Sequence, residues 1–426
     1  MTLGNFVQFL NRSPTVYHAA KEVGMRLAEA DFTPLSEGEK WTLEPGKGYF
    51  VTREDSLVAA FRLPKKKPQS AILHASHLDS PALKIKPRPE ISSQGIGQFG
   101  TEIYGGPLLH TWLDRDLALA GRIVVANKNG QCETKLVFLD DYPLIIPGIA
   151  IHLQRDINEK GTLVHKQDHL KAIYSIQTKE NHLDMWLKKH HSFHELLSFD
   201  LFLVPLERAA LNGFEDELIS SYRLDNLTSA FASLDALLNS KATEDTIQMA
   251  IFWDHEEIGS KTYGGADSLF VDQMLERICM QNKMDREDLY RLKSRSLCIS
   301  CDVGHAFHPN FPEKYDTQNA PLMGKGPVVK FSSRYATNGP SAAPIVHLAK
   351  KNKIPLQTSA SRSDLSGGGT VGAMMGANLG IQTVDIGLAC WAMHSIRETV
   401  STQDLLALAK LLKVSFEKPL ISLEQS

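Results

Sequence analysis

Residues 247–252, Ile-Gln-Met-Ala-Ile-Phe, are apolar but for one glutamine and end at once in Trp253-Asp254-His255-Glu256-Glu257-Ile258-Gly259. A run of that length, bounded by ionisable residues and a glycine, fits a buried strand that delivers carboxylates to the carboxyl edge of a sheet. In open α/β sheets that edge is where ligands bind. Two adjacent glutamates there repel each other, and both stay ionised only with something positive between them, for which a metal ion is the usual agent. The alternative is a solvated acidic turn. Which of the two holds depends on whether other segments supply further ligands.

The same texture recurs along the chain. Helical periodicity through Phe6, Phe9 and Leu10, then Val23, Met25, Leu27 and Ala28, is followed by strand candidates over 48–52, 57–63 and 69–75. The third of these runs into His74-Ala75-Ser76-His77-Leu78-Asp79. His77 and Asp79 share a face of an extended chain, so the carboxylate can accept the second ring N–H of a metal-binding histidine. A strand over 297–301 ends in Asp302-Val303-Gly304-His305, and a last strand over 382–387 leads to Ala392-Met393-His394. Arg223-Leu224-Asp225-Asn226 precedes an apolar helix over 227–238, for which Asp225 or Asn226 is a candidate N-cap. Further helices are expected over 269–282, 285–292, 341–350, 370–377 and 403–412, and a strand over 355–359. Gly367-Gly368-Gly369 lacks the Lys-Ser/Thr of a phosphate loop and reads as helix-start packing.

Between residues 81 and 205 the rhythm changes to short β-rich pieces, such as 120–126 and 134–138, alternating with turns and few long amphipathic helices. The expected architecture is therefore α/β: a central mixed sheet with helices on both faces, built from residues 1–80 and 206–426, with an inserted β-rich domain at 81–205. A chain of 426 residues that is 42% hydrophobic and 22% charged supports such cores, and its net charge of −3 gives no hint of nucleic acid or an anionic membrane surface. No apolar run approaches a bilayer-spanning length, and the N-terminus lacks a secretory pattern, so a cytoplasmic protein is expected. Cys298 and Cys301 sit three apart in a strand and point to opposite faces, with no second ligand pair nearby, so they read as small core residues. Within the insert, Tyr104-Gly105-Gly106-Pro107, Asp114-Arg115-Asp116 and His152 read as ordinary loop and salt-bridge chemistry.

Counted together, strand ends and a helix start supply His77, Asp225, Glu257, Asp302 and His394, with Glu256 and Asp79 left over. Carboxylate oxygens mixed with imidazole suit zinc, manganese or cobalt. Such a set is too large for one open catalytic zinc and suits two ions sharing a bridging carboxylate. Spacing alone does not establish that these residues converge.

The motifs SHLDSPALK, YGGPLLHTWLDRDLALAGR, AIHLQRDINE, YRLDNLTS, DHEEIGS, DVGHAFHPN, KGPVVK and AMHSIRE, in this order, resemble the aspartyl aminopeptidase family of dinuclear metallopeptidases. The resemblance implies a zinc-peptidase type of sheet and two divalent ions per subunit, zinc first, with manganese or cobalt as alternatives. By that resemblance His77 and Asp302 hold one ion, Glu257 and His394 the other, and Asp225 bridges them. Glu256 becomes the general base for a metal-activated water, and Asp79 orients His77. Lys330 binds the acidic side chain of an N-terminal Asp or Glu, with His305 and Tyr335 in the same substrate pocket. The insert pairs subunits into dimers within a tetrahedral homododecamer, and His152 reaches a neighbour's active site. Ser361 to Gly369 follows the family's Arg-Asn-Asp loop only loosely, with Ser363 in place of asparagine. Rival readings are an aminopeptidase or N-acyl amino-acid amidase of broader specificity, and a non-catalytic assembly or cargo protein.

Overall fold

The computed structural model describes residues 1–178, 181–365 and 368–418. The apolar run forms the strand Thr246–Trp253, which pairs in parallel with Ser70–His77 so that Trp253 faces His77, and antiparallel with Leu57–Arg62. Its side chains alternate between two apolar clusters: Ile247, Met249, Ile251 and Trp253 enter one, Ala250 and Phe252 the other. Burial on both faces explains why the run is continuous and does not alternate with polar residues.

This strand lies inside a nine-stranded mixed sheet ordered Thr33–Leu35, Gly48–Arg53, Leu57–Arg62, Thr246–Trp253, Ser70–His77, Leu297–Cys301, Gln382–Gly387, Val328–Phe331 and Gln357–Ala360. Helices Leu3–Arg12, Val16–Glu29, Leu224–Asn239, Gly339–Lys351 and Thr402–Glu417 cover one face. Phe270–Gln281, Arg286–Ser294 and Val371–Leu379 cover the other. Cys298 and Cys301 fall in opposite clusters, as the two-residue period of a strand requires. His74 is wholly buried, stacked on Phe416 at 3.7 Å with Nε2 2.9 Å from Ser415 Oγ. Burial pushes its imidazole down to about 3, so this histidine is a neutral core residue only three positions from His77.

Between Ala82 and Pro205 the chain forms a six-stranded antiparallel sheet ordered Cys132–Leu144, Leu117–Ala126, Glu195–Pro205, Ala82–Ser93, Ile96–Tyr104 and Ala172–Ser175. Its apolar side, including Leu119 and Ile123, and Trp112 from the preceding connection join the cluster on one face of the main sheet. The segment also contains the helix His182–His190, which buries Leu183, Trp186 and Leu187 and has no counterpart among the expected elements. A third sheet of five short strands, ordered Ala210–Asn212, Leu218–Ser221, Glu398–Ser401, Ala389–Trp391 and Gly304–His305, draws together segments that are distant in the sequence.

Two sequence expectations shift. The late strand is Gln357–Ala360, and the helix after the glycines is Val371–Leu379, capped by Thr370. Of that glycine loop, Ser366 and Gly367 lie outside the described residues. The capping role expected of Asp225 or Asn226 does not hold. Both residues have non-helical dihedrals at the start of Leu224–Asn239, the peptide between them is cis, and neither side chain caps the helix. The Asp225 carboxylate is turned toward two histidines instead, while the Asn226 amide donates to the Cys301 carbonyl at 2.8 Å. Among the described residues no helix is long and apolar enough to cross a membrane.

Candidate metal centre

Three neighbouring strands, Thr246–Trp253, Ser70–His77 and Leu297–Cys301, run parallel and end at one edge of the main sheet. His77 closes the central one, Asp302 follows the third, and the Glu256-Glu257 pair follows the first. A regular strand would send adjacent glutamates to opposite faces. Here the strand stops at Trp253, His255 takes a left-handed conformation with φ of 61°, and Glu256–Ile258 form a single 3-10 turn closed by Gly259. The bend turns both carboxyl groups toward His77. His394 arrives from the loop after Ala389–Trp391, where Ala392 and His394 are themselves left-handed. Such conformations are uncommon outside glycine and cluster where surrounding structure enforces a functional geometry.

The resulting donors fall into overlapping groups, each within 4.8 Å: His77 with Asp225 and Asp302, and Asp225 with Glu257 and His394. Nε2 of His77 lies 3.3 Å from Asp225 Oδ1 and 3.6 Å from Asp302 Oδ1. Nε2 of His394 lies 3.4 Å from Asp225 Oδ2 and 3.4 Å from Glu257 Oε2. Thus one carboxylate offers one oxygen to each imidazole.

The surroundings decide the tautomers. Nδ1 of His77 is 3.0 Å from the carbonyl of Asp79, and Nδ1 of His394 is 3.1 Å from the carbonyl of Gly106. A carbonyl only accepts, so each Nδ1 carries its hydrogen, and in the neutral rings each Nε2 presents a lone pair to carboxylate oxygens. The side chain expected to orient His77 is slightly farther, with Asp79 Oδ1 3.3 Å from Nδ1. That carboxylate also fixes the turn, accepting the amides of Glu256 at 3.2 Å and Glu257 at 3.1 Å and the hydroxyl of Tyr104 at 2.8 Å. Gly105, with φ of 69°, packs so close that a Cβ would stand 3.1 Å from that of Glu257.

These donors fit divalent cations. Buried oxygens of Asp225, Glu257 and Asp302 have no hydrogen-bond partner. The nitrogen-to-oxygen gaps exceed a charge-assisted hydrogen bond of about 2.7–2.9 Å. They match two ligands at about 2.0–2.2 Å from one tetrahedral ion, which stand about 3.3–3.6 Å apart. Without cations, burial and the charges of Asp302, Asp79 and Asp225 push the Glu256 carboxyl up to about 8. Burial beside Asp225 likewise raises Glu257 well above its ordinary value and Glu398 to about 8. Opposite charge among them would favour the ionised forms again.

Beside this cluster lies a cavity of about 310 Å³ lined by His305, Lys330, Tyr335, Ser361 and Arg362, among others. Lys330 is buried, its ammonium 3.1 Å from the Val303 carbonyl, 3.9 Å from Asp302 Oδ2 and 5.1 Å from the Tyr335 ring centre. Arg362 is tied to Asp364 at 2.7 Å. The cavity walls are joined by Asp385, which was not among the expected residues: it accepts the amide of Ala336 at 2.8 Å and the hydroxyl of Thr370. His152 stands apart, exposed on the turn Ile151–Leu153 of the six-stranded sheet's long connection. Tyr104, Gly106 and Glu398 were also missed. Only their adjacency to the motif residues in YGGP and HSIRE hinted at a role.

A family model described as aminopeptidase I zinc metalloprotease (M18) matches residues 9–416. The chain is 38% identical over 422 residues to a protein of Pseudomonas savastanoi pv. phaseolicola named "Probable M18 family aminopeptidase 2", covering 96% of each chain. Among solved structures it is similar to Ape4 in the cryo-EM structure of the Ape4 and Nbr1 complex, with a TM-score of 0.92 and 33% identity over 97% of this chain and 84% of that one. It is also similar to the S. cerevisiae mApe1 dodecamer, with a TM-score of 0.84 and 26% identity over 97% of this chain and 95% of that one.

The protonation pattern makes metal-free stability depend on pH. Glu256, Glu257, Glu398 and His77 all have folded pKa values above their ordinary ones, so the folded state holds more protons than the unfolded one and stability is lost as pH rises through those values. His18 and His74, lowered to about 4 and about 3, act the other way but are neutral in both states above about 6.5. The unfolding midpoint of chelator-treated protein is therefore expected to fall between about pH 6.5 and 8.5. Zinc-loaded protein should reverse the trend, because cations compete with protons for the same atoms. A flat or rising midpoint without metal would contradict the arrangement.

Proposed function

The chain belongs to the aminopeptidase I zinc metalloprotease (M18) family and is a metallo-aminopeptidase, and we propose that it removes N-terminal residues, preferring Asp and Glu, at a centre of two divalent cations. The observation that carries this reading is the place of Asp225, one oxygen 3.3 Å from His77 and the other 3.4 Å from His394. In this reading His77, Asp302 and Asp225 hold one ion, and Asp225, Glu257 and His394 hold the other. Zinc is the metal of the family's description, and manganese or cobalt suits the same donors. When bound, such a pair supplies Lewis acidity, lowering the pKa of water and polarising a peptide carbonyl.

The chain's own groups account for the rest. Glu256 takes the proton of the water that attacks the carbonyl carbon and returns it to the amine nitrogen as the C–N bond breaks. Its carboxyl lies within 4.8 Å of donor atoms of His77 and Glu257, close enough to the proposed ions to reach that water. Asp79 holds the turn that carries the base, through the amides of Glu256 and Glu257. Lys330 has one donor occupied by Val303, which leaves two for a substrate carboxylate entering the cavity past His305 and Tyr335.

Self-association through the insert completes the proposal. Ile149, Ile151, Leu153 and Leu163 are exposed there, Leu153 at 77% and Leu163 at 86%, large apolar side chains that a covering partner would bury. The dodecamer formed by S. cerevisiae mApe1 supports self-association into a homododecamer; in this proposal its subunits pair through the insert with tetrahedral symmetry, and His152 enters the neighbour's site and stabilises the tetrahedral intermediate. All five cysteines are unpaired, which suits the reducing cytoplasm this reading assigns.

Glu256→Gln is expected to lower kcat by about 10²–10⁴-fold while metal content and assembly size stay unchanged; near-native turnover would refute the assigned base. Comparing Asp-, Glu-, Leu- and Ala-anilides tests the preference, with Lys330→Met reducing the Asp-to-Leu ratio of kcat/KM by about 10- to 100-fold, the value of a charged hydrogen bond. Faster cleavage of Leu than of Asp by the unaltered enzyme would sink the acidic preference. For His152, activity should fall in His152→Ala and return in part when that chain is co-assembled with Glu256→Gln, each subunit supplying what the other lacks. Absence of any recovery in confirmed mixed assemblies would exclude a role across subunits.

A further inference from the structure

Glu398 lies four residues beyond His394, only 1% exposed, at the start of the strand Glu398–Ser401. Its backbone is fixed by the five-stranded sheet, where it stands opposite Ser221, four residues before Asp225. Its carboxylate forks between two backbones. Oε2 accepts the amide of Asp225 at 2.9 Å and Oε1 accepts the amide of His394 at 2.7 Å. No lysine or arginine pairs with it among the described residues. A buried carboxylate without a counter-cation is costly unless hydrogen bonds or nearby positive charge compensate it.

From this fork we propose that Glu398 is the positioning residue of the cation site formed by Asp225, Glu257 and His394, fixing two of its three ligands relative to one another without touching the ion. The inference rests on the two-cation reading above. Two oxygens on one planar group are what allow a single side chain to accept two separate amides at once. The left-handed conformation at His394 leaves its amide pointing inward, and Glu398 is the group that receives it. The consequence appears at the far ends of the same residues, where Asp225 Oδ2 and His394 Nε2 stand 3.4 Å apart, the spacing that a shared ion needs. Bound cations in turn supply the positive charge that the buried carboxylate lacks, so the fork and the ion stabilise each other. The other ion shares only Asp225 with the fork: His77 and Asp302 have no bond to Glu398 and are held through Asp79 and the paired strands, so that ion depends on Glu398 through one ligand of three where the first depends on it through two.

The test is zinc binding by the assembled full chain, titrated with metal-buffered zinc and read as zinc bound per subunit. Glu398→Gln keeps the size but turns an NH₂ toward one amide donor, and Glu398→Asp keeps the charge but withdraws it. In both variants one of the two ions is expected to weaken by about 10- to 100-fold, the range found when groups supporting metal ligands are removed, while the other stays within a few-fold of wild type. In a His394→Ala background, where that ion's site is already broken, adding Glu398→Gln should change the remaining ion little. Circular dichroism at saturating zinc establishes that each variant is folded. Wild-type affinity for both ions in folded Glu398→Gln, or equal weakening of both, would overturn the inference and leave the two-cation reading standing. A wild-type protein that binds a single ion would sink both. If Glu398→Gln does not fold, Glu398→Asp decides by the same criteria.

Discussion

Five carboxyl groups that repel one another, Asp79, Asp225, Glu256, Glu257 and Asp302, share a largely dry volume with two imidazoles, and that crowding shapes the structure around it. Moving such charges out of water is unfavourable unless hydrogen bonds and opposite charge replace the solvent. The chain supplies hydrogen bonds wherever a carboxylate has only to be held. Asp79 receives two amides and a hydroxyl, and Glu398 receives two amides. It withholds them elsewhere, leaving buried oxygens of Asp225, Glu257 and Asp302 unpaired, with Nε2 of His77 beside those of Asp225 and Asp302 and Nε2 of His394 beside the second oxygens of Asp225 and Glu257. The division between satisfied and unsatisfied oxygens thus follows the division between supporting groups and the proposed ligands.

The insert belongs to this support as much as to any assembly surface. Its strand Ile96–Tyr104 ends in the Tyr104 hydroxyl that holds Asp79, and the next two residues lie against Glu257 and accept the ring N–H of His394. Glycine at 105 is favoured by a left-handed φ of 69°, and a Cβ there would press on Glu257 at 3.1 Å. Both histidines therefore depend on the place where the six-stranded sheet meets the main one. A displacement of that sheet would be felt at the donors, which gives the proposed association of inserts a direct physical route to the active site. On the other side, Asp385 joins the turn carrying Tyr335 to the segment after Arg362, so the cavity walls share one buried anchor.

Much of the fold was legible because it follows from local periodicity. The largely apolar runs within 69–75, 247–252 and 297–301 fit strands covered on both faces, and the polar residues that end them then fall at the sheet's edge. The helix His182–His190 was not legible, since its few apolar residues sit in a polar stretch with four histidines nearby. Asp225 misled for a definite reason: a carboxylate just before an apolar helix is a good N-cap locally, and only the long-range claim of Glu398 on its amide and of two histidines on its side chain overrides that preference.

What the sequence by itself determined was the inventory and the type of chemistry: strand ends carrying His77, Glu256, Glu257 and Asp302, a helix start carrying Asp225, and a last strand leading to His394. Donors of this kind already favour hard or borderline divalent metals. What the tertiary structure decided was convergence and role. Strand order placed 77, 253 and 301 side by side, a left-handed residue at 255 turned two neighbouring glutamates inward, and a small third sheet brought 398 against 225. None of these is written in any local window. They depend on which distant segments pair, and pairing is settled by the burial of whole sheets, to which each site residue contributes almost nothing.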